Sequence, residues 1–195
     1  MYISKFFRID TTTIPGKYLS VLEMSKGEGY GMNMAEVSNT IHSDTDAIDG
    51  ILLTCNDGDV MELEGLHKII RDVRPPHKDV IVSTCGRFPE NLDDLVGAGY
   101  INHVIFKFDS LPDEAQRRSL KIARSGDCTF CVHLVMDKGR FDQKTILDNK
   151  ELFRDAVNIV LKRTKTQGDV KAYTKNEMSS LAKSLKGVAK EVRLD

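Results

Sequence analysis

The sequence has no excess of charge, no long apolar run and few cysteines. Across 195 residues, 28 Lys and Arg stand against 29 Asp and Glu, a formal net charge of −1. A chain so balanced produces no overall field that would draw it to nucleic acid or to an anionic membrane, and neither is expected as a partner. No apolar run approaches the roughly 18 residues that a membrane span needs. The opening MYISKFFRID has neither the apolar stretch nor the small-residue cleavage site of a secretory signal, so a cytoplasmic protein is expected. Four cysteines in a chain of this size do not make a disulfide scaffold, and none stands before Cys55. No low-complexity stretch and no linker rich in Gly, Pro or Ser divides the chain, which predicts a single domain over residues 1–195.

What is present has a clear rhythm. The hydrophobic fraction of 41% and charged fraction of 29% are those of an ordinary globular domain with a full core. Between residues 46 and 137 the chain reads as strand-then-helix units. The strands are expected at 48–55 (IDGILLTC), 79–85 (DVIVSTC), 103–109 (HVIFKFD) and 129–137 (TFCVHLVMD), the helices at 65–74, 90–98 and 113–125. The first two strands are near-continuous apolar runs, as expected of parallel strands covered on both faces. Repeated βα units of this length predict an α/β fold with right-handed crossovers, a parallel (β/α) partial barrel of about six strands. Outside this segment, residues 2–9 and 18–23 read as strands, and Asn33 caps a short helix carrying Met34, Val37 and Ile41. The glycines around residues 27–31 read as a flexible connection, since neither the dinucleotide spacing nor a Lys-Ser/Thr pair accompanies them. Residues 138–149 read as a solvated loop. Leu152, Phe153, Ala156, Val157, Val160 and Leu161 read as a longer helix, and 170–173 as a short strand. A Thr174–Glu177 capping box opens the last helix, and residues 191–194 close the chain as a strand.

In such folds chemistry sits where strands end. The expected corners bring Cys55, Asn56, Asp57, Cys85, Arg87, Lys107 and Asp109 to one mouth as candidate ligand-binding residues. Lys107 and Asp109, two apart on one strand, point the same way. They read either as an anchor for a small polar or anionic ligand, or as solvated residues beyond the strand end. His133, Asp57 and Lys107 are the acid–base candidates, although a lone histidine is more often a hydrogen-bonded core residue. Cys55 and Cys85 each follow a threonine at a strand end. A redox pair, a metal pair and two inert core residues are all open, with the last favoured. Cys128 and Cys131 have C-x-x-C spacing, yet they open a strand and face opposite sides, so no metal site is expected. Cys131 and His133 share a face.

The order of several segments resembles a known family. Ile9-Asp10, then Ile14-Pro15-Gly16-Lys17, then the strand at 18–22, are similar to the opening of activating enzymes for glycyl-radical enzymes in the radical S-adenosylmethionine superfamily. Activators of anaerobic ribonucleotide reductase and of pyruvate formate-lyase are the nearest kin in this respect. Residues 48–54 (IDGILLT) resemble the family's "idGvviSGGEP" strand, Ser83-Thr84-Cys85-Gly86 its "dTNG", Lys107-Phe108-Asp109 its "DxK" with charges exchanged, and residues 191–194 its closing "eVrl". The resemblance implies a partial barrel that in intact members binds a [4Fe–4S] cluster and S-adenosylmethionine. The cluster motif C-x₃-C-x₂-C belongs just after Leu22, where residues 23–31 contain no cysteine. Such a cluster is held by thiolates, so it is not expected here. No cofactor is expected either, with S-adenosylmethionine left open. The reading that follows is a radical-SAM-like scaffold that has lost its reaction centre and acts as a small-ligand-binding or regulatory protein, with a protein partner also open. The alternatives are a cluster-free enzyme using acid–base or thiol chemistry, and an activating enzyme with unusual cluster binding.

Overall fold

The computed structural model describes residues 2–14, 16–27, 31–126, 128–164 and 172–195. The centre of the glycine-spaced connection and the first half of the strand expected at 170–173 lie outside them. The chain forms an α/β fold around one eight-stranded sheet in strictly sequential order. The strands are β1 (Tyr2–Asp10), β2 (Leu19–Ser25), β3 (Gly50–Cys55), β4 (Asp79–Thr84), β5 (His103–Phe108), β6 (Thr129–Met136), β7 (Asn158–Arg163) and β8 (Glu191–Leu194). β1 pairs with β2 antiparallel, and every later pair is parallel. The sheet is open, with β1 and β8 at its two edges.

The helices among the described residues are α1 (Met34–Ser43), α2 (Leu66–Val73), α3 (Pro89–Gly97), α4 (Glu114–Ser125), α5 (Gln143–Asp148) and α6 (Lys175–Ser184). Most of the expected helix starts have their chemistry, α2 behind Gly65 being without a side-chain cap. The Asn33 side chain accepts from Ala35 N at 2.9 Å, and Pro89 occupies the first turn of α3. Asp113 with Gln116, and Thr174 with Glu177, form complete capping boxes. Sequential strand order with right-handed crossovers puts the helices on one side of the sheet. Leu66, Ile69, Ile70 and Val73 of α2 share one core with Leu92 and Leu95 of α3, Leu120 and Ala123 of α4, and Ile51, Leu53, Val80 and Phe106 of the strands. Leu19, Val21, Leu52, Ile81, Ile105 and Cys131 form a separate cluster on the other, helix-free face. Both faces of β3 to β5 are therefore apolar, which is why these strands read as continuous runs.

Two elements differ from the sequence expectation. The helix expected over 152–161 is a 3-10 turn, Lys150–Phe153, followed by β7. Asp155 adopts a left-handed φ of 70°, which a continuous helix does not allow. Beyond it Val157 N donates to Phe130 O at 2.8 Å, and the segment pairs with β6 and β8. Residues 138–149, expected as loop, contain α5, capped by Asp142, whose side chain accepts from Thr145 N at 2.7 Å. The added strand is one reason the sheet exceeds the expected six. Among the described residues no helix is long and apolar enough to cross a membrane.

Candidate functional site

Side chains alternate along a strand, so the residues two beyond Ile81, Ile105 and Cys131 share the helix-free face. They are Ser83, Lys107 and His133. Cys131 pairs with Asn158, which pairs with Glu191, and the same alternation then adds Val160, Lys162 and Arg193. His103, two residues before Ile105, shares this face at the N-terminal end of β5. The helix-free face thus carries an apolar band across β2 to β6 and, nearer the C-terminal ends of β4 to β8, a polar one.

The polar band is unusual in its hydrogen bonding. Ser83 Oγ, His103 Nε2, His133 Nδ1 and Arg193 Nε are buried and find no partner among the described residues. Each of these four belongs to the helix-free face; Ser83, His133 and Arg193 lie in the polar band, whereas His103 opens β5 four residues before Lys107. A buried polar atom without a partner is unfavourable by about 1–3 kcal/mol, so four on one surface call for an explanation. His133 is only 4% exposed and His103 only 8%. Burial, reinforced by the charges of Lys162 and Lys107, pushes the His133 imidazole down to about 4. Burial, then the charge of Lys17, does the same to His103, also to about 4. Both rings are neutral near pH 7. The Nδ1 of His103 meets Thr129 Oγ1 at 2.5 Å, which leaves Nε2 as its open end.

Charge is unevenly matched here. Lys162 pairs with Asp195 at 3.0 Å, and Arg193 Nη2 donates to Glu191 at 2.6 Å. Glu23 is held by Lys5 of β1 at 3.1 Å. The Lys107 side chain makes no hydrogen bond or ion pair among the described residues, although the charges of Asp59 and Glu23 favour its protonated form. The residue as a whole is exposed, but burial by surrounding protein and then the charge of Lys162 push its pKa down. A cavity of about 240 Å³ opens beside this band, lined by Thr12, Thr13, His133, Val160, Lys162, Leu194, Arg193 and Asp195. An unmatched cation, a partly free guanidinium and neutral imidazoles suit an anion that brings several acceptor oxygens.

The other expected site residues are placed differently. Asp57 is a turn-holding carboxylate: it accepts from Ser25 Oγ at 2.6 Å, Lys26 N at 3.0 Å and the Cys55 thiol at 3.2 Å. Led by the Ser25 bond, these donors hold its carboxyl well below the usual range. Cys55 packs against the helix-side core, and burial followed by the Asp57 bond raises its thiol pKa. Cys85 donates its thiol to Asp59 at 2.7 Å, and burial followed by that bond pushes it up to about 11. Neither environment favours a thiolate. Asn56, Arg87 and Asp109 are exposed. Asn56 Nδ2 donates to Ser4 Oγ at 3.4 Å, and Asp109 accepts from Ser110 Oγ at 3.3 Å. Of the expected residues, only Lys107 and His133 belong to the polar band described above. No group of three or more His, Cys, Asp or Glu side chains among the described residues is placed to hold a metal ion.

Asp59 went unnoticed in the sequence. It is buried and accepts from Thr84 Oγ1 at 2.7 Å, Cys85 N at 2.8 Å and Met61 N at 2.9 Å, tying the loop after β3 to the end of β4. Ser83, His103, Lys162 and Arg193 were also missed. Once β7 is seen as a strand, simple alternation finds the last two. A larger groove of about 430 Å³ lies on the helical side, around α2 and α3, with Leu66, Leu95 and Tyr100 in its wall. It contains none of the four unpartnered atoms. No protein-family model matches the chain, and no curated protein is similar to it in sequence.

Proposed function

We propose that the protein binds a small anion, a carboxylate or a phosphate, on the helix-free face of its sheet. The observation that carries this reading is the set of three buried, unpartnered polar atoms toward the C-terminal ends of the strands on that face: Ser83 Oγ, His133 Nδ1 and Arg193 Nε. The unpaired Lys107 beside them supplies the charge. In this reading Lys107 and Arg193 donate charge-assisted hydrogen bonds to the anion, and His133 donates or accepts as its tautomer allows. A pKa near 4 makes His133 a hydrogen-bonding group at neutral pH rather than a proton carrier. That favours binding over acid–base catalysis.

The scaffold in this proposal is a curled partial barrel, a radical-SAM-like frame without its cluster. Sequential strand order, parallel from β2 onward, with one helix-free face supports it. So does the cavity in which Thr12 and Thr13, beside β1, meet Arg193 and Asp195 at the far edge. A flat sheet would separate those edges by roughly seven strand spacings of about 4.8 Å. Stoichiometric iron after anaerobic reconstitution would count against the loss of the cluster.

The binding test is a thermal-shift series with inorganic phosphate, short carboxylates and S-adenosylmethionine. A ligand at 100 times its Kd stabilises by about 2.7 kcal/mol, which is readily measured. Lys107→Met keeps most of the stem and removes the charge. It should abolish the anion-dependent shift while leaving the unliganded melting temperature unchanged or higher, because burial already disfavours that ammonium. Anion binding that survives Lys107→Met, or no shift with any anion, removes the proposal. A Lys107→Met variant that unfolds would make Lys107 a structural partner instead.

A further inference from the structure

The loop between β1 and β2 lies over the apolar band of the helix-free face. Among its described residues, 11–14 and 16–18, Ile14 alone is buried, while Thr11, Thr12, Gly16 and Tyr18 are exposed. Ile14 belongs to the cluster formed by Leu19, Val21, Leu52, Ile81, Ile105 and Cys131, apart from the main core. The loop is held at both ends. Asp10 accepts from Thr12 Oγ1 at 2.7 Å and from Thr13 N at 3.0 Å, and Lys17 pairs with Asp79. Thr12 and Thr13, next to Ile14, line the same cavity as His133 and Arg193. Ile105 and Cys131 each precede Lys107 and His133 by two residues, a distance of roughly 7 Å along the strand. Apolar and polar bands therefore form two halves of one recess. Among the described residues of the loop, Ile14 is the one that covers the apolar half, and the polar half borders the cavity.

We infer that Ile14 sets the size limit of the anion site. Its side chain occupies the place that a ligand's hydrocarbon body would take. The site accepts compact anions, such as inorganic phosphate or acetate, and gains nothing from a longer aliphatic chain. This inference rests on the anion-site reading above and names the specificity of that same site.

The experiment compares the native protein, Ile14→Val and Ile14→Ala. Dissociation constants are measured by calorimetry or ligand-observed NMR for phosphate and for the straight-chain carboxylates from acetate to octanoate. In the native protein affinity should stay flat with chain length. In Ile14→Ala it should rise about fourfold for each of the first methylenes, the gain expected for burying one such group. Phosphate affinity should stay within about twofold of native, since the polar band is untouched. Ile14→Val removes one methylene and should show the first step of that gain, propionate over acetate. It carries the test alone if circular dichroism shows Ile14→Ala unfolded. Affinity that climbs with chain length in the native protein, or that stays flat in the variants, overturns the role of Ile14 and leaves the anion site standing. Failure of all three proteins to bind phosphate or acetate overturns both.

Discussion

His133 sits where a proton is disfavoured, and this makes the fold sensitive to acid. An unfolded chain protonates histidine near ~6.5, whereas the folded protein holds His133 and His103 at about 4. Between those values the unfolded chain binds protons that the folded one refuses. Stability therefore falls as pH drops from about 6.5, and the loss is complete below about 4, at about 3 kcal/mol per histidine. His133→Gln removes one of the two, so its urea midpoint should fall less than the native one between pH 7 and 4.5. Equal slopes would mean that His133 is solvated in solution. Asp59 makes the opposite kind of case, a buried carboxylate whose donors all depend on it. Asp59→Ala should destabilise by about 3 kcal/mol, because it strands the amides of Cys85 and Met61. It should also speed alkylation of Cys85 on the order of tenfold or more, since each unit by which the thiol pKa falls from about 11 multiplies the thiolate tenfold. Unchanged alkylation would show that Asp59 does not restrain the thiol.

At the scale of the element, β3 depends on closeness to its neighbour. Gly50 opens the strand, and a Cβ there would lie 2.5 Å from the carbonyl oxygen of Asp79. That atom is backbone, so relief requires β3 and β4 to separate at their N-terminal ends. Asp79 is also the partner of Lys17 and accepts from Asn102 Nδ2 at 2.6 Å, so the displacement would spread to the loop carrying Ile14. Gly50→Ala should cost roughly 1–3 kcal/mol in chemical denaturation. A native midpoint would show that the two strands can part there without loss. The misread β7 belongs to this scale too. Its apolar residues fit helical and strand spacing about equally, and short apolar runs are ambiguous by periodicity alone. Partners on both sides, β6 and β8, decide the matter in favour of a strand.

For the molecule as a whole, an open sequential sheet implies graded stability. β3 to β5 are enclosed by the helix-side core on one face and the second cluster on the other. β1 and β8 each have one neighbour, and β8 spans only Glu191–Leu194. Amide hydrogen exchange should be slowest in β4 and β5, with β8 opening first. Saturating phosphate should slow exchange in β8 and around His133, because a ligand held by Arg193 ties that edge to the sheet. Uniform exchange across the sheet would contradict the gradient. Protection by phosphate confined to the α2–α3 groove would move the site to the other side of the molecule.

Local sequence carries the α/β class, β3 to β6 and the helices between them, through apolar runs, prolines at helix ends and capping residues. It also placed Lys107 near the end of its strand and paired Cys131 with His133 on one face, because alternation is a local property; His133 itself lies within β6 rather than at the corner expected for it. Tertiary structure alone decided the rest. Strand order left one face without helices. Register brought Lys162 and Arg193 from β7 and β8 beside His133. Hydrogen bonds from distant residues made Asp57 and Asp59 structural carboxylates, and left Ser83, His103, His133 and Arg193 each with an open polar atom. Ile14, one apolar residue in a polar loop, has no local pattern to announce its burial. Side-chain spacing is written within a segment, whereas the supply of partners and the covering of a face depend on which segments meet.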